Sequence, residues 1–220
     1  MNKRKIIEKT RLDYNTIAEH FSQTRSYIWP DIKPYLDLVK RDNRVLDLGC
    51  GNGRIYKALR SKKIDYLGID FSKKELEWAK KNYPKVKFIN ADITKTETYK
   101  NIGKFDVCFC LAVLHHIPGE DLQKVVIKNI ESGLRPKGIL ILSVWNLFGE
   151  KYLPYHNKGK KWIYFPYKLS DGKRVVKTVN RFVWLFTEKS LRSLFEGTSF
   201  EILEYKENKN LCLVAKKVVK

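Results

Sequence analysis

Long apolar runs are missing from this chain. No segment approaches the roughly 18 consecutive apolar residues of a membrane-spanning helix, so we expect no membrane span. The N-terminus, MNKRKIIE, is basic and lacks the apolar stretch of a secretory signal peptide. The four cysteines, Cys50, Cys108, Cys110 and Cys212, do not occur at the paired spacings of a zinc site. These absences predict a cytoplasmic protein with reduced thiols, no membrane association and no metal.

Acidic residues are scarce relative to basic ones. The chain carries 24 Asp and Glu against 44 Lys and Arg, which gives a formal net charge of +20 and a pI near 9.7. A strongly basic chain favours a polyanionic partner, most commonly a nucleic acid. The alternative is a lysine-rich proteome, in which most proteins are basic whatever they bind. The charge alone therefore does not decide the function.

Internal repeats and a Gly- or Pro-rich linker are also lacking, and 220 residues with 43% hydrophobic content fit one domain. Strand and helix patterns alternate, which predicts parallel pairing with right-handed crossovers. We expect an α/β fold: a Rossmann-like, seven-stranded, mostly parallel sheet with helices on both faces and an antiparallel C-terminal hairpin. Four parts are predicted: an N-terminal helical cap (1–40), a cofactor-binding core (44–144), a basic aromatic insertion (145–186), and the last helix with the terminal strands (187–220).

The individual elements follow from hydrophobic periodicity and from turn residues. Helices are predicted at 1–25, 31–40, 53–61, 73–82, 120–134 and 187–196. Strands are predicted at 45–48, 66–69, 86–89, 105–111, 139–144, 200–205 and 210–216. Arg135–Gly138 is expected to be a turn that precedes the fifth strand.

The first strand is followed by a glycine-rich turn, Gly49–Gly53. Glycines at alternating positions let the backbone turn sharply and approach a ligand closely. A dinucleotide-binding turn would have a third glycine where Arg54 stands, and Asp47 is poorly placed to hold a pyrophosphate. Asp47 suits a ligand that carries an ammonium group or a positive charge. Asp70 and Asp92 each follow a later strand, so all three acids are expected at the carboxyl edge of the sheet, where open α/β folds bind ligands.

These motifs together resemble the class I S-adenosylmethionine-dependent methyltransferases. The matching segments are VLDLGCGNG, GID (68–70) and NADI (90–93). The resemblance implies S-adenosylmethionine as cofactor and S-adenosylhomocysteine as product. It implies that Gly49 and Gly51 cradle the methionine part, Asp70 binds the ribose, and Asp92 with Ile93 reads the adenine. Further cofactor-site residues implied in the same way are Leu111 and Ala112, which would line the cofactor, and Asp47, which would fix the turn or the cofactor amine.

The flanking segments resemble one group of that class, the tRNA wobble-uridine carboxymethyl methyltransferases, which includes the methyltransferase domain of an AlkB homologue. The segments are YNTIAEHFSQTRSYIWP (14–30), LAVLHHI (111–117), SVWN (143–146) and NRFVWLFTEKSL (180–191). Two departures stand out: Trp184 replaces part of a histidine-aromatic pattern, and the insertion is shorter. The resemblance implies methylation of the carboxylate of 5-carboxymethyluridine in the tRNA anticodon loop, and a small activator subunit as a further candidate partner.

No side chain is certain to be catalytic, because a carboxylate is already ionised at pH 7 and needs no general base. Arg25 is the first candidate to clamp the cofactor carboxylate or the substrate acid, with Trp29 among the aromatic residues near it. His115 and His116 are candidates for a general base, or alternatively for structural hydrogen bonding. Arg181 is a candidate nucleotide contact, or alternatively a surface charge.

The insertion combines nine Lys and Arg with two acids between residues 150 and 181, interleaved with aromatic residues. Basic groups can contact phosphates and aromatic rings can stack on bases, so Lys160 and Lys161 are predicted to contact tRNA. The alternative is a lid whose lysines are merely solvated. Two other functions stay open: a small-molecule carboxyl or O-methyltransferase of the same fold, and a non-catalytic RNA-binding protein.

Overall fold

A seven-stranded sheet carries the cofactor-binding segments. In the computed structural model, which describes residues 2–25 and 27–219, the strand order is β3-β2-β1-β4-β5-β9-β8. The strands are β1 (Arg44–Leu48), β2 (Asp65–Asp70), β3 (Lys87–Asn90), β4 (Phe105–Leu111), β5 (Leu134–Trp145), β8 (Phe200–Glu207) and β9 (Asn210–Lys217). The first five are parallel, whereas β9 is antiparallel to both β5 and β8. The predicted fold class is confirmed. Met1, Ser26 and Lys220, which the predicted domain includes, lie outside the described residues.

Helices cover both faces of this sheet because its central strands are apolar on both sides. The helices are α1 (Lys3–Thr24), α2 (Arg54–Leu59), α3 (Lys73–Asn82), α4 (Glu120–Gly133) and α5 (Glu188–Arg192). In β1, Leu46 and Leu48 join the core on the face that α4 covers, while Val45 joins the core under α2 and α3. Successive side chains of a strand point to opposite faces, so a strand buried on both faces needs apolar residues throughout.

Two predicted elements differ from the structure in kind or by several residues. The helix expected at 31–40 is a 3₁₀-helix, Lys33–Leu38, with Pro34 in its first turn. The fifth strand starts at Leu134 rather than at residue 139, so the turn expected at Arg135–Gly138 lies within β5. Its pairing with β4 changes register between Phe105 and Val107, and Lys137 has φ 65°. The predicted turn is therefore an irregularity in a longer strand.

The insertion forms a second, two-stranded antiparallel sheet, which sequence patterns did not predict. It consists of β6 (Trp162–Ser170) and β7 (Val175–Trp184), preceded by a 3₁₀-helix at Glu150–Tyr155. Tyr167 and Val179 of this hairpin pack on Ile17 of α1, whereas Phe182 and Trp184 enter the core beneath the main sheet. The hairpin is thus anchored at its base and lies beside the N-terminal helix.

No helix in the described part of the chain is both long enough and apolar enough to cross a membrane.

Candidate active site

A cavity of about 940 Å³ opens at the carboxyl ends of β1, β2 and β4, under α1 and the hairpin. Most of the residues predicted from sequence line it together: Arg25, Trp29, Gly49, Gly51, Asp70, Asp92, Ile93, Leu111, Ala112, His116 and Arg181. The other predicted residues, namely Asp47, His115, Lys160 and Lys161, are not among its lining residues. The fold therefore gathers segments that are far apart in sequence around one site, as expected for the edge of an open α/β sheet.

The glycine turn forms one wall of the cavity and is held by the neighbouring strand. The backbone N–H groups of Gly49 and Cys50 both donate to the carbonyl of Ile69, at 2.7 and 3.1 Å. Gly49 has φ +68°, and a Cβ there would lie 2.2 Å from Cγ2 of Val113. Glycine is required at this position for both reasons, since the φ is left-handed and the space is already filled. The turn consequently exposes its backbone to the cavity.

Asp70 is held rigidly at the end of β2. Its Oδ2 accepts a hydrogen bond from the N–H of Gly51 at 2.9 Å, and its Oδ1 accepts one from the N–H of Ser72 at 2.8 Å. Burial raises the pKa of Asp70 to about 6, although these backbone donors oppose the rise. Each carboxylate oxygen keeps a further lone pair, so this oriented acid can accept from the two hydroxyls of a ribose.

Asp92 follows β3 and is oriented in a similar way. Its Oδ1 accepts hydrogen bonds from the N–H of Thr94 at 2.9 Å and from the Thr94 hydroxyl at 2.7 Å. The second carboxylate oxygen makes no hydrogen bond to a described residue and is available to accept from an amino group, such as that of an adenine. Ile93 is buried beside it and provides an apolar wall.

Asp47 lies near the end of β1 but is not among the residues that line the cavity. Its side chain is 2% exposed, and its Oδ2 accepts a hydrogen bond from the Tyr66 hydroxyl at 2.6 Å. Burial raises the pKa of Asp47 to about 7, with the Tyr66 hydrogen bond opposing the rise. This hydrogen bond joins β1 to β2 through their side chains. The predicted role of Asp47 toward the glycine turn or the cofactor amine remains a prediction.

The two adjacent histidines have different environments, and neither is placed to act as a general base. His115 is fully buried, its Nδ1 accepts from the backbone N–H of Trp145 at 3.2 Å, and its ring lies 4.4 Å from the indole. His116 lines the cavity, yet both of its nitrogens are occupied. Its Nδ1 lies 2.7 Å from the carbonyl of Phe182, and its Nε2 lies 2.7 Å from the Tyr14 hydroxyl.

The tautomer of His116 follows from these partners. A carbonyl oxygen can only accept, so Nδ1 carries the proton and Nε2 accepts from Tyr14. Burial, and then the nearby Arg181, lower the pKa of His116 to about 3, so the ring is neutral at pH 7. His116 is therefore a positioning residue that orients the Tyr14 hydroxyl. The sequence left open whether His116 is a general base or a structural residue, because its partner Tyr14 lies 102 residues away in the chain.

Arg181 is a buried cation rather than a surface charge. Only 4% of the residue is exposed, and its guanidinium lies 4.8 Å from the Trp145 ring and 4.9 Å from the Tyr167 ring. One nitrogen donates to the Tyr14 hydroxyl at a long 3.4 Å, and Nε has no hydrogen-bond partner. Arg181 makes no ion pair with any residue of the described chain. A buried guanidinium without a carboxylate can bind an anionic ligand.

Arg25 and Trp29 lie at the entrance of the cavity, where α1 ends. The guanidinium of Arg25 donates to the carbonyl of Thr24 at 3.2 Å and lies 5.9 Å from the Phe21 ring. The indole of Trp29 is covered by the guanidinium of Arg54 at 4.0 Å. The predicted role of Arg25 as a clamp remains a prediction that this placement permits.

Lys160 and Lys161 lie outside the cavity, at the base of the hairpin. Lys161 forms an ion pair with Glu120 at 2.8 Å, and the ammonium group of Lys160 lies 4.8 Å from the Trp162 ring. Both side chains are exposed. They cannot touch a ligand inside the cavity, so a role in tRNA binding would be confined to the surface around it.

Sequence reasoning did not assign a site role to several residues that line the cavity, and three of them are polar: Tyr14, Arg54 and Glu75. Arg54 carried a signal, since it stands where a dinucleotide site would have its third glycine. Tyr14 only marked the start of a resembling segment, and Glu75 was indistinguishable from the other charged residues of α3. Their roles depend on the approach of α1 and α3 to the glycine turn, which local pattern does not reveal.

The donor set fits S-adenosylmethionine. Asp70 and Asp92 present oriented carboxylates for a ribose and an adenine, the glycine turn leaves room that a Cβ would fill, and apolar residues lie between them. Comparison with known proteins agrees with this fit. The model of a methyltransferase-domain family matches residues 20–205.

Relatives and solved structures point the same way. The tRNA (carboxymethyluridine(34)-5-O)-methyltransferase of Saccharomyces cerevisiae is 31% identical over 166 residues, which cover 75% of this chain and 58% of that protein. A ubiquinone biosynthesis O-methyltransferase of Rickettsia typhi is 30% identical over 152 residues, which cover 67% of this chain and 50% of that protein. The chain thus spans between half and three fifths of the length of these relatives. A SAM-dependent methyltransferase from Methanosarcina mazei has the same fold, with a TM-score of 0.70 and 21% identity over 88% of this chain and 99% of that one.

The fold, the site and the family match together define a class I S-adenosylmethionine-dependent methyltransferase. The chain belongs to the methyltransferase-domain family, and S-adenosylmethionine is its cofactor.

Proposed function

We propose that this chain transfers the methyl group of S-adenosylmethionine to the carboxylate of a modified wobble uridine in tRNA, of the 5-carboxymethyluridine type. The observation that carries the proposal is Arg181, a cation that is 4% exposed, lines the cavity and has no carboxylate partner in the described chain. The cost of burying an unpaired cation is offset when an anion binds it. A substrate carboxylate supplies that anion.

The surroundings of Arg181 suit a carboxylate that must also react. Trp145 and Tyr167 flank the guanidinium at 4.8 and 4.9 Å, and rings at this distance stabilise the cation without competing for its N–H groups. The Tyr14 hydroxyl already donates its proton to His116, so it presents lone pairs rather than a proton to Arg181. Nη1 is used by the Tyr14 hydroxyl and Nε is enclosed, whereas Nη2 makes no hydrogen bond to a described residue and is left for the ligand.

The chemistry asks little of side chains as acids or bases. The bound cofactor supplies an electrophilic methyl group on a sulfonium. The acceptor carboxylate is already ionised at pH 7, so its oxygen can attack without loss of a proton. Arg181 can hold one carboxylate oxygen and leave the other free, and the aromatic walls exclude water from the reacting atoms. Catalysis would then come from alignment and from desolvation of the nucleophile.

A tRNA substrate is supported by two observations outside the cavity. The yeast relative acts on carboxymethyluridine in tRNA, as its name states. The net charge of +20 and the exposed lysines of the hairpin, Lys160 and Lys161 among them, suit a phosphate backbone. A small activator subunit and a cytoplasmic location, both expected from sequence, belong to the same proposal.

The test is nucleoside mass spectrometry on tRNA from the organism of origin with and without the gene. We expect loss of the methyl ester at the wobble uridine and accumulation of the carboxyl-bearing nucleoside. Cells include any activator that the enzyme needs, so a negative result is not explained by a missing subunit. Purified chain with tRNA that carries 5-carboxymethyluridine provides the direct assay, and tRNA with an unmodified uridine is its control. If no carboxyl-bearing uridine accumulates and no ester is lost, the proposal fails.

The second candidate is a small-molecule carboxyl or O-methyltransferase. The similarity to the Rickettsia ubiquinone biosynthesis O-methyltransferase favours it, as does a cavity large enough for a small acceptor. Transfer to a hydroxyl would require a base to remove its proton, whereas both nitrogens of His116 are occupied. Binding of bulk tRNA that weakens steeply with salt distinguishes the first candidate from the second.

A further inference from the structure

One basic and one acidic side chain on the floor of the cavity have polar atoms without hydrogen-bond partners, and neither residue has a role in what has been described so far. They are Arg54, the first residue of α2, and Glu75, in the first turn of α3. Both line the cavity together with Gly49, Gly51 and Asp70. No hydrogen bond or ion pair joins their side chains, although each lies within the electrostatic influence of the other.

Arg54 is held in place by stacking rather than by hydrogen bonds. Its guanidinium lies 4.0 Å from the centre of the Trp29 ring. Its Nη1 is fully buried and has no partner in the described part of the chain. Burial lowers the pKa of Arg54, while the nearby Asp47 acts in the opposite direction. The group stays a cation at pH 7, since guanidinium groups are protonated far above that pH.

Glu75 is more completely enclosed. The residue is 1% exposed, and neither Oε1 nor Oε2 has a hydrogen-bond partner. Its Oε2 would lie 3.6 Å from a Cβ built on Gly51, so the carboxyl group faces the glycine turn. Burial, and then Asp70, raise the pKa of Glu75 to about 9. An ammonium group placed next to it would favour the charged form again.

The unpartnered polar groups of Arg54 and Glu75 destabilise the folded protein unless a ligand binds to them. A buried polar group without a hydrogen bond is destabilising, and an unpaired charge more so. One basic and one acidic group of this kind lie beside the backbone that the fold presents to a cofactor. The methionine part of S-adenosylmethionine ends in an α-carboxylate and an α-ammonium group on one carbon. The α-carboxylate matches the cation of Arg54, and the α-ammonium group matches the ionised form of Glu75, which that ammonium group would itself favour.

We propose that Arg54 and Glu75 bind the amino-acid end of the cofactor, Arg54 through its α-carboxylate and Glu75 through its α-ammonium group. This assignment separates the site into two parts. Asp70 and Asp92 serve the nucleoside, and the Arg54–Glu75 pair serves the zwitterion. It is independent of the methyl acceptor, so the proposed tRNA substrate can fail without affecting it.

The experiment compares two ligands that differ only at that end. S-adenosylhomocysteine carries the amino-acid group, whereas 5′-methylthioadenosine has the same nucleoside and thioether without it. Isothermal titration calorimetry gives both dissociation constants for the wild type, Arg54→Met and Glu75→Leu. Each variant is expected to bind S-adenosylhomocysteine about 10- to 100-fold more weakly, the range for a lost hydrogen bond to a charged group, and to bind 5′-methylthioadenosine as the wild type does.

Two further variants serve as controls. Asp70→Asn is expected to weaken both ligands alike, because it removes charge from the acid that faces the ribose. Arg60→Met removes an exposed arginine just beyond α2 and should change neither constant. Equal losses for both ligands in Arg54→Met and Glu75→Leu, or no loss for S-adenosylhomocysteine, would overturn the assignment.

Thermal unfolding of the ligand-free variants excludes a purely structural role. Neither substitution removes a hydrogen bond or an ion pair, and methionine can still pack on Trp29, so the melting temperature should stay close to that of the wild type or rise. A marked fall in melting temperature for both variants would mean that the two side chains support the fold rather than the ligand, and would also overturn the proposal.

Discussion

Replacement of Arg181 by methionine should impair binding of the acceptor carboxylate while leaving the stability of the fold and the affinity for the cofactor nearly unchanged. The side chain makes one long hydrogen bond, 3.4 Å to the Tyr14 hydroxyl, and stacks on two rings. Loss of these contacts costs about 1–2 kcal/mol, but removal of an unpaired buried cation returns a similar amount. Because methionine fills much of the same volume, the free energy of unfolding should change by less than ~1.5 kcal/mol.

The effect on catalysis should be much larger. A hydrogen bond between a guanidinium and a carboxylate contributes about 1.5–3 kcal/mol, so kcat/KM for a carboxyl-bearing acceptor should fall about 10- to 150-fold. Arg181→Lys keeps the charge but loses the planar donor pair, and should fall between the wild type and Arg181→Met. The affinity for S-adenosylhomocysteine should be unchanged in both variants, because Arg181 is assigned to the acceptor.

The assay is initial-rate transfer of a labelled methyl group to an anticodon stem-loop that contains 5-carboxymethyluridine. Wild-type kcat/KM in Arg181→Met would refute the assignment of Arg181 to the carboxylate. A loss of stability comparable with the loss of activity would also refute it, since it would show that the cation supports the fold.

Three further predictions address the cofactor turn, the buried histidine and the hairpin surface. Gly49→Ala places a Cβ in occupied space and should abolish S-adenosylhomocysteine binding, whereas Gly172→Ala, with a left-handed φ but nothing within 4 Å, should bind normally; calorimetry measures both. The pKa of His116 is about 3 in the folded protein and about 6.5 in the unfolded chain. Between about pH 6.5 and pH 3 only the unfolded chain binds this proton, so the free energy of unfolding should decrease as the pH falls through that range. Urea titrations should show a smaller decrease for His116→Gln, and equal pH dependence in the two proteins would contradict the buried neutral ring. The double variant Lys160→Gln, Lys161→Gln should weaken tRNA binding and reduce its salt dependence by up to about two charges, and an unchanged salt slope in filter binding would remove these lysines from the tRNA surface.

The cofactor side of the site was predictable because it depends on local backbone rules. A buried strand that ends in alternating glycines implies a tight turn, and Gly49 does have the left-handed φ that such a turn requires. Asp70 and Asp92 follow their strands directly, so their position at the sheet edge follows from parallel pairing. Asp47 shows the limit of this reasoning, because its partner, Tyr66, is on the next strand.

The acceptor side was much less predictable. The separate hairpin, β6–β7, was recognised only as an insertion rich in charge and aromatics. Its partner surface is α1, more than a hundred residues earlier in the chain, and no local periodicity encodes that contact. The sequence therefore allowed two interpretations of Arg181, a nucleotide contact or a surface charge. In the structure Arg181 is buried against Trp145 and Tyr167.

By itself the sequence determined the fold class and the position of Asp70 and Asp92 at the sheet edge, since both follow from spacing along neighbouring elements, and the cofactor class followed from the resemblance of those motifs to a known family. Only the tertiary structure decided the state of the groups that α1 brings to the cavity. His116 is neutral because Tyr14 and the carbonyl of Phe182 occupy both of its nitrogens. Arg181 is an orphaned cation because, among the described residues, no carboxylate lies within ion-pair distance of it, and the acid close enough to be influenced by its charge, Asp13, pairs with Lys9 instead. Burial and the identity of distant partners set these properties, and neither can be read from residues next to each other in the chain.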